Sequence, residues 1–399
     1  MSGIRLWLAL AVATSCSATL CAAPPALIEV QLGPNKLQGK VVAHNTNSFW
    51  LLGQDGRLRA LRSDEVGKFH QVSPRFNGWT GTILREQLRR EFGQSFDVVG
   101  TRHYVVCAKG EQKARAYADT FEELFRSFHM YFSVRGFKID EPEFPLVAVI
   151  FPEYESFARY AKAENVQASP TLKGYYLTTS NRIALYEDRL STAAWRSPVH
   201  SPWDLPPPSD GERSSPRSSG WPVALEGQSG AWEALEGSLK DTMIHEATHQ
   251  AAFNSGLHSR IGENPKWIVE GLATVFEAPG IRNSSSNSGV KARINRERFV
   301  WFGNFAKTRR KAKSLENFLA SDAPFATGVL DAYSEAWAFS FFLIETRPRA
   351  YAEYLRTIAA RDPLQTYPPE ARVDDFKKLI NKELPLLESE FLRFIAGIK

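Results

Sequence analysis

Two imidazoles and a carboxylate fall within five residues, His245-Glu246-Ala247-Thr248-His249, in the spacing H-E-x-x-H. On an α-helix, side chains four residues apart project from one face, one turn apart, so both histidines can reach a single metal ion. The flanks predict that helix over 239–254: Ser238 is a good N-cap with Asp241 three residues on, and Ser255-Gly256 supplies the stop. Two histidines leave a tetrahedral catalytic zinc site one protein ligand short, because three protein groups and a solvent position are the usual set. Glu270, 21 residues beyond His249, completes it. Asn264-Pro265 reads as the N-cap and first position of a second helix over 265–277, and Gly256 and Pro265 let that helix fold back on the first. The bland reading of Glu270 is a surface carboxylate, yet it stands among Ile268, Val269, Leu272 and Val275, where an unpaired charge is costly. The expected cofactor is one Zn²⁺ ion on His245, His249 and Glu270. Glu246 is then the general base, taking a proton from water and passing it to the leaving nitrogen.

The second helix adds to the pattern. H-E-x-x-H followed by Trp267, Glu270, Gly271 and Ala273 (W-x-x-E-G-x-A) and then Glu277 resembles the gluzincin signature of aminopeptidase N relatives and the wider peptidase-MA clan. The layout looks closest to exported bacterial members of that clan, and the resemblance runs from about Thr101 to the C-terminal region. It implies an α+β fold with a zincin-like catalytic domain: a mixed sheet with helices as the upper half, with 182–187 as a substrate-facing edge strand, and a helical lower half carrying the zinc. It also implies that Tyr333, which opens a later helix, is a second catalytic residue stabilising the oxyanion; an ordinary core tyrosine is the alternative. Glu277, two helical turns past Glu270, is a candidate acceptor for a histidine ligand. No G-x-M-E-N motif is present, so the implied activity is that of a peptidase on peptide or protein substrates rather than of an aminopeptidase. Two other readings stay open: a catalytically silent binding protein that attaches to the envelope, and a zinc amidase acting on wall peptides. The intact Glu246 favours chemistry.

The other histidines lack ligand spacing. His258 comes nine residues after His249, whereas a metzincin ligand would come six after, so it is read as a loop residue. His44, His70, His103, His129 and His200 are read as surface or satisfied core positions. Cys107 lies in an apolar run, as a small buried hydrophobe.

Around the motif, the elements divide the chain. Residues 1–23 have a positive Arg5, an apolar run at 6–14 and small residues through Ala23, the pattern of an export signal; Ala13-Thr14-Ser15-Cys16 only partly matches a lipobox. Localisation outside the cytoplasm, periplasmic, extracellular or at the cell surface, is expected, and no transmembrane segment is seen. Residues 27–75 alternate short apolar groups with turns at Gly33-Pro34-Asn35, Asn45-Thr46-Asn47 and Asp55-Gly56, which predicts a small SH3-like β-barrel. From 98 to 190 the order is strand, helix, strand, helix, strand, strand. Proline, serine and glycine dominate 197–220, read as a flexible insertion, and 235–399 is mainly helical. Formal charge is +5, from 49 basic and 44 acidic residues. The excess gathers at 291–313, where nine lysines and arginines face a single acid, Glu297. That stretch is either a solvated helix face or a surface for an anionic envelope component. No nucleic-acid partner is expected.

Overall fold

Strands buried at every position, with side chains alternating between two cores, organise the middle of the chain. In the computed structural model, which describes residues 25–187, 237–282 and 289–398, a mixed sheet has the order β6-β7-β8-β10-β9. Its strands are β6 (Asp97–Gly100), β7 (Tyr104–Ala108), β8 (Leu146–Phe151), β9 (Gly174–Leu177) and β10 (Arg182–Tyr186). β7, β8 and β10 are parallel, with Tyr104 opposite Leu146 and Arg182 opposite Val147; β6 and β9 run antiparallel on the two edges. Parallel neighbours need crossovers, and the helices α2 (Glu111–Ser133) and α3 (Tyr154–Ala163) supply them. Tyr104, Val106 and Ala108 point to the α2 side, while Val105 and Cys107 point to α3 and α1 (Gly81–Phe92). Burial pushes the Cys107 thiol up to about 12, so it is inert packing.

On this side the edge strand is therefore β9, and β10, expected at the edge, lies inside the sheet between β8 and β9. The reason is local. Asn181, in the left-handed region at φ 59°, closes a tight turn that lays β9 antiparallel along the outer side of β10.

Ahead of this sheet, β1 (Leu27–Leu32), β2 (Asn35–His44), β3 (Ser48–Gly53), β4 (Leu58–Arg62) and β5 (Val66–Ser73) form an antiparallel sheet ordered β4-β3-β2-β1-β5. The predicted turns hold, with Gly33 and Gly56 at φ 54° and 77°. The closed barrel does not: β4 and β5 are the two edges and pair with nothing beyond their inner neighbours among the described residues. One reason is that β5 is exposed along most of its length. The sheet is instead anchored on the β9–β10 turn. The Leu58 N–H donates to the Thr179 carbonyl at 2.7 Å, and Arg260 donates to the carbonyls of Gly56 and Thr178 at 2.8 and 2.7 Å.

The remaining chain is helical: α4 (Gly237–Asn254), α5 (Lys266–Phe276), α6 (Pro279–Arg282), α7 (Arg296–Thr308), α8 (Ser314–Ala320), α9 (Pro324–Thr327), α10 (Val329–Thr346), α11 (Pro348–Ala359), α12 (Pro369–Ile380) and α13 (Leu384–Gly397). Its core is aromatic. Trp267 on α5 is fully buried against Phe339, Tyr354 and Phe376 from three other helices. Truncating an aromatic of this kind costs about 3–5 kcal/mol, so the α5 motif residue Trp267 is a packing anchor. No helix among the described residues is long and apolar enough to cross a membrane. The expected export segment 1–23 and the 197–220 insertion lie outside the described residues.

Candidate metal centre

The two helices that carry the motif are held in different ways. α4 lies under the mixed sheet, where the Gln250 amide donates to the carbonyls of Val147 and Asn181 at 3.1 and 2.8 Å. It is already helical from Gly237, so Ser238 lies inside the helix rather than at its cap. It ends where Gly256, at φ 75°, lets the N–H groups of Leu257 and His258 turn back to the Ala252 carbonyl. α5 begins differently from the expectation. Pro265 is its N-cap, and the orphan Lys266 N–H is taken by Asp322 at 2.8 Å from a distant loop. Asn264, the expected cap, ties its own loop together through Ser259 and Gly262. Further along, a Cβ on Gly271 would stand 2.1 Å from Ser340 Oγ and 2.6 Å from the Ala336 carbonyl. Only glycine lets α5 and α10 approach this closely beside Glu270.

This packing brings His245, His249 and Glu270 together, with 5 %, 8 % and 4 % exposure. The two Nε2 atoms are 3.1 Å apart, and Glu270 Oε2 stands 3.3 Å from the first and 3.5 Å from the second. Ligand atoms at about 2.0–2.1 Å on the corners of a tetrahedron are separated by about 3.3 Å, so the three spacings fit one face of a metal's coordination shell. Glu270 Oε2 has no well-directed hydrogen bond despite its burial, an orphaned acceptor that a cation would satisfy. The group can hold one metal ion.

A second layer fixes the rings. His245 Nδ1 is 2.8 Å from Glu277 Oε1, and the Asn295 amide donates to Glu277 Oε2 at 2.6 Å and to the Thr274 carbonyl at 3.2 Å. Fixing Nδ1 aims Nε2 at the other ligands. Burial opposes a charge on His245, but Glu270 and Glu277 outweigh it and raise its pKa to about 10 in the metal-free protein. Burial likewise works against the Glu270 carboxylate, and His249 and His245 overcome it, holding its pKa below the ordinary value. Glu246 goes the other way: burial dominates and raises it, although both imidazoles pull it down. The Tyr176 N–H on β9 donates to Glu246 Oε2 at 2.6 Å, which leaves Oε1 as the oxygen open to a proton.

The other expected residues are placed as follows. Tyr333 is 1 % exposed, one turn before Ala336 on α10; its ring lies edge-on to Phe325 and 5.5 Å from the Arg298 guanidinium carbon. His258 is a loop residue as expected, but a buried one: it is 3 % exposed, packs on Phe253, and burial lowers its pKa to about 3. His103 Nδ1 meets Glu122 Oε1 at 2.6 Å while its buried Nε2 has no well-directed hydrogen bond, and the His129 ring lies tilted against Phe125. His44 and His70 are exposed, and His200 lies outside the described residues. Several cations of the basic stretch are internally used. Arg293 pairs with Glu345, Arg309 with Asp331, and Arg310 with Glu335 and Glu388, while Lys291, Arg296, Lys307, Lys311 and Lys313 stay exposed. Sequence reasoning missed Tyr176, Asn295 and Asp322. Asn295 had a usable signal as an N-cap residue before a helix, whereas the other two act across long separations that no local pattern reports.

The helical half thus presents a buried two-histidine, one-carboxylate group of the kind that binds a metal, with a further carboxylate beside it. Residues 240–365, from α4 into the segment after α11, match a family described as "Protein of unknown function (DUF1570)". The match includes His245, Glu246, His249, Glu270, Glu277 and Tyr333 and leaves out both sheets. No curated protein matches the chain.

Proposed function

We propose that the chain is an exported zinc-dependent peptidase of the gluzincin type, with a zincin-like catalytic domain and an SH3-like N-terminal module. The observation that carries this reading is the convergence of His245 Nε2, His249 Nε2 and Glu270 Oε2 at spacings of 3.1, 3.3 and 3.5 Å. Export rests on the residue pattern of 1–23. A zinc ion bound there would supply Lewis-acid polarisation of a carbonyl and lower the pKa of water.

The chain's own residues do the rest. Glu246, with Oε2 held by the β9 N–H of Tyr176, takes a proton on Oε1 and returns it to the leaving nitrogen. Glu277 and Asn295 keep His245 oriented. Tyr333 is assigned the oxyanion, on its position at the same face of α10 that meets α5.

Digestion of a peptide library with and without a chelator, alongside Glu246→Gln, tests the reading. Hydrolysis that the chelator abolishes, and that Glu246→Gln loses while keeping its metal, is expected. Retained hydrolysis in Glu246→Gln refutes the role of Glu246. Intact peptides under all conditions, with metal bound, point instead to a specialised amide or to a silent scaffold.

A further inference from the structure

Arg298 is 2 % exposed, and its Nε and Nη2 have no hydrogen-bond partner. Other arginines buried to a similar degree face carboxylates: Arg182 meets Glu91 at 2.6 Å and Arg372 meets Asp322 at 3.0 Å. Arg298 meets none among the described residues. A buried cation without a counter-charge is unfavourable, and a fold that keeps one has a use for its charge.

The position of Arg298 supplies that use. It is in the first turn of α7, and its backbone N–H donates to Asn295 Oδ1 at 3.3 Å. Asn295 holds Glu277, and Glu277 holds His245, so three residues connect the backbone of Arg298 to the metal centre. Its guanidinium carbon lies 5.5 Å from the ring of Tyr333. Nε and Nη2 form one edge of the planar guanidinium, the edge that grips a carboxylate with two parallel hydrogen bonds.

We propose that Arg298 is the carboxylate receptor of this site, so that preferred substrates carry a free carboxylate near the scissile bond. The carboxylate comes either from a C-terminus or from an acidic side chain. This inference rests on the peptidase reading for its substrate class, while the binding it describes needs no metal.

The test is titration calorimetry of the full chain, chelator-treated and zinc-loaded, with three probes. These are an N-acetylated dipeptide with a free C-terminal carboxylate, the same dipeptide as its amide, and an amidated dipeptide containing glutamate. The chelator-treated wild type should bind one of the acids at least about tenfold more tightly than the neutral amide, as expected for a desolvated charge-assisted pair. Arg298→Gln should erase the preference and Arg298→Lys should keep part of it, since lysine retains the charge but not the fork. The stronger of the two acids identifies the source of the carboxylate. Equal binding of all three probes by the wild type overturns the proposal whether or not the variants fold, and so does a preference that survives in Arg298→Gln. A preference confirmed in a protein that hydrolyses none of the peptides when zinc-loaded would sink the peptidase reading and leave the receptor standing.

Discussion

Replacing Glu277 by glutamine removes one acceptor from a residue that serves two donors. Its Oε1 lies 2.8 Å from His245 Nδ1 and its Oε2 accepts from Asn295 at 2.6 Å. Glutamine is nearly the same shape but has a single oxygen, so either the ring N–H or the Asn295 amide must then face an N–H₂ group. The lost bond is one to a charged acceptor, worth about 1.5–3 kcal/mol. His245 also loses the charge that helps fix its tautomer, and disrupting a carboxylate behind a ligand histidine weakens metal binding by about 10–100-fold. Zinc affinity, measured by competition with a chromophoric chelator at fixed pH, should therefore fall by about 1.4–2.8 kcal/mol while far-ultraviolet dichroism stays unchanged. An affinity within about twofold of the wild type would refute the argument that Glu277 positions the ring.

Three further outcomes follow from the packing around the site and the helical core. Tyr333→Phe should lower kcat by about 10²–10³-fold with little change in KM if its hydroxyl meets the oxyanion, and an unchanged kcat would leave it a core residue. Arg310 is 3 % exposed between Glu335 and Glu388 at 2.8 and 2.7 Å; Arg310→Met should cost about 3–5 kcal/mol in urea unfolding at pH 8, and a loss below about 1 kcal/mol would contradict a buried ion triad. Burial, with Glu277 nearby, raises Asp241 from 3.8 to about 6. The folded state then holds a proton that the unfolded chain has released, so the contribution of Asp241 is fully present below its unfolded pKa and is lost as pH rises through about 6. Asp241→Asn should consequently gain stability over the wild type between about pH 4 and 8, read from urea midpoints of chelator-treated protein, and a pH-independent difference would contradict the assignment.

Much of the site was legible because its residues are bound to helix periodicity. His245 and His249 had to share a face once 239–254 was a helix, and the apolar neighbours of Glu270 pointed to a cation partner for it. Glu277 was readable two turns on for the same reason. What stayed hidden depends on tertiary contact. Asp322 caps α5 from 56 residues away, and Tyr176 reaches Glu246 across 70. In the first sheet the turn residues fixed the hairpins, yet closure depends on whether β4 and β5 meet, which strand patterning does not encode. The same limit misplaced β10, because a short antiparallel return at Asn181 looks alike in sequence whether the returning strand ends outside or inside the sheet. The charged stretch at 291–313 shows the reverse. Composition suggested a surface, but Arg293, Arg309 and Arg310 pair with acids spread between Asp331 and Glu388, far along the chain.

Crystals of the purified protein, measured on both sides of the zinc absorption edge, address the metal centre most directly. The account predicts one anomalous peak about 2.0–2.2 Å from His245 Nε2, His249 Nε2 and a Glu270 carboxylate oxygen. A zinc-soaked crystal with no peak there, or with Glu270 turned away from both rings, would contradict it.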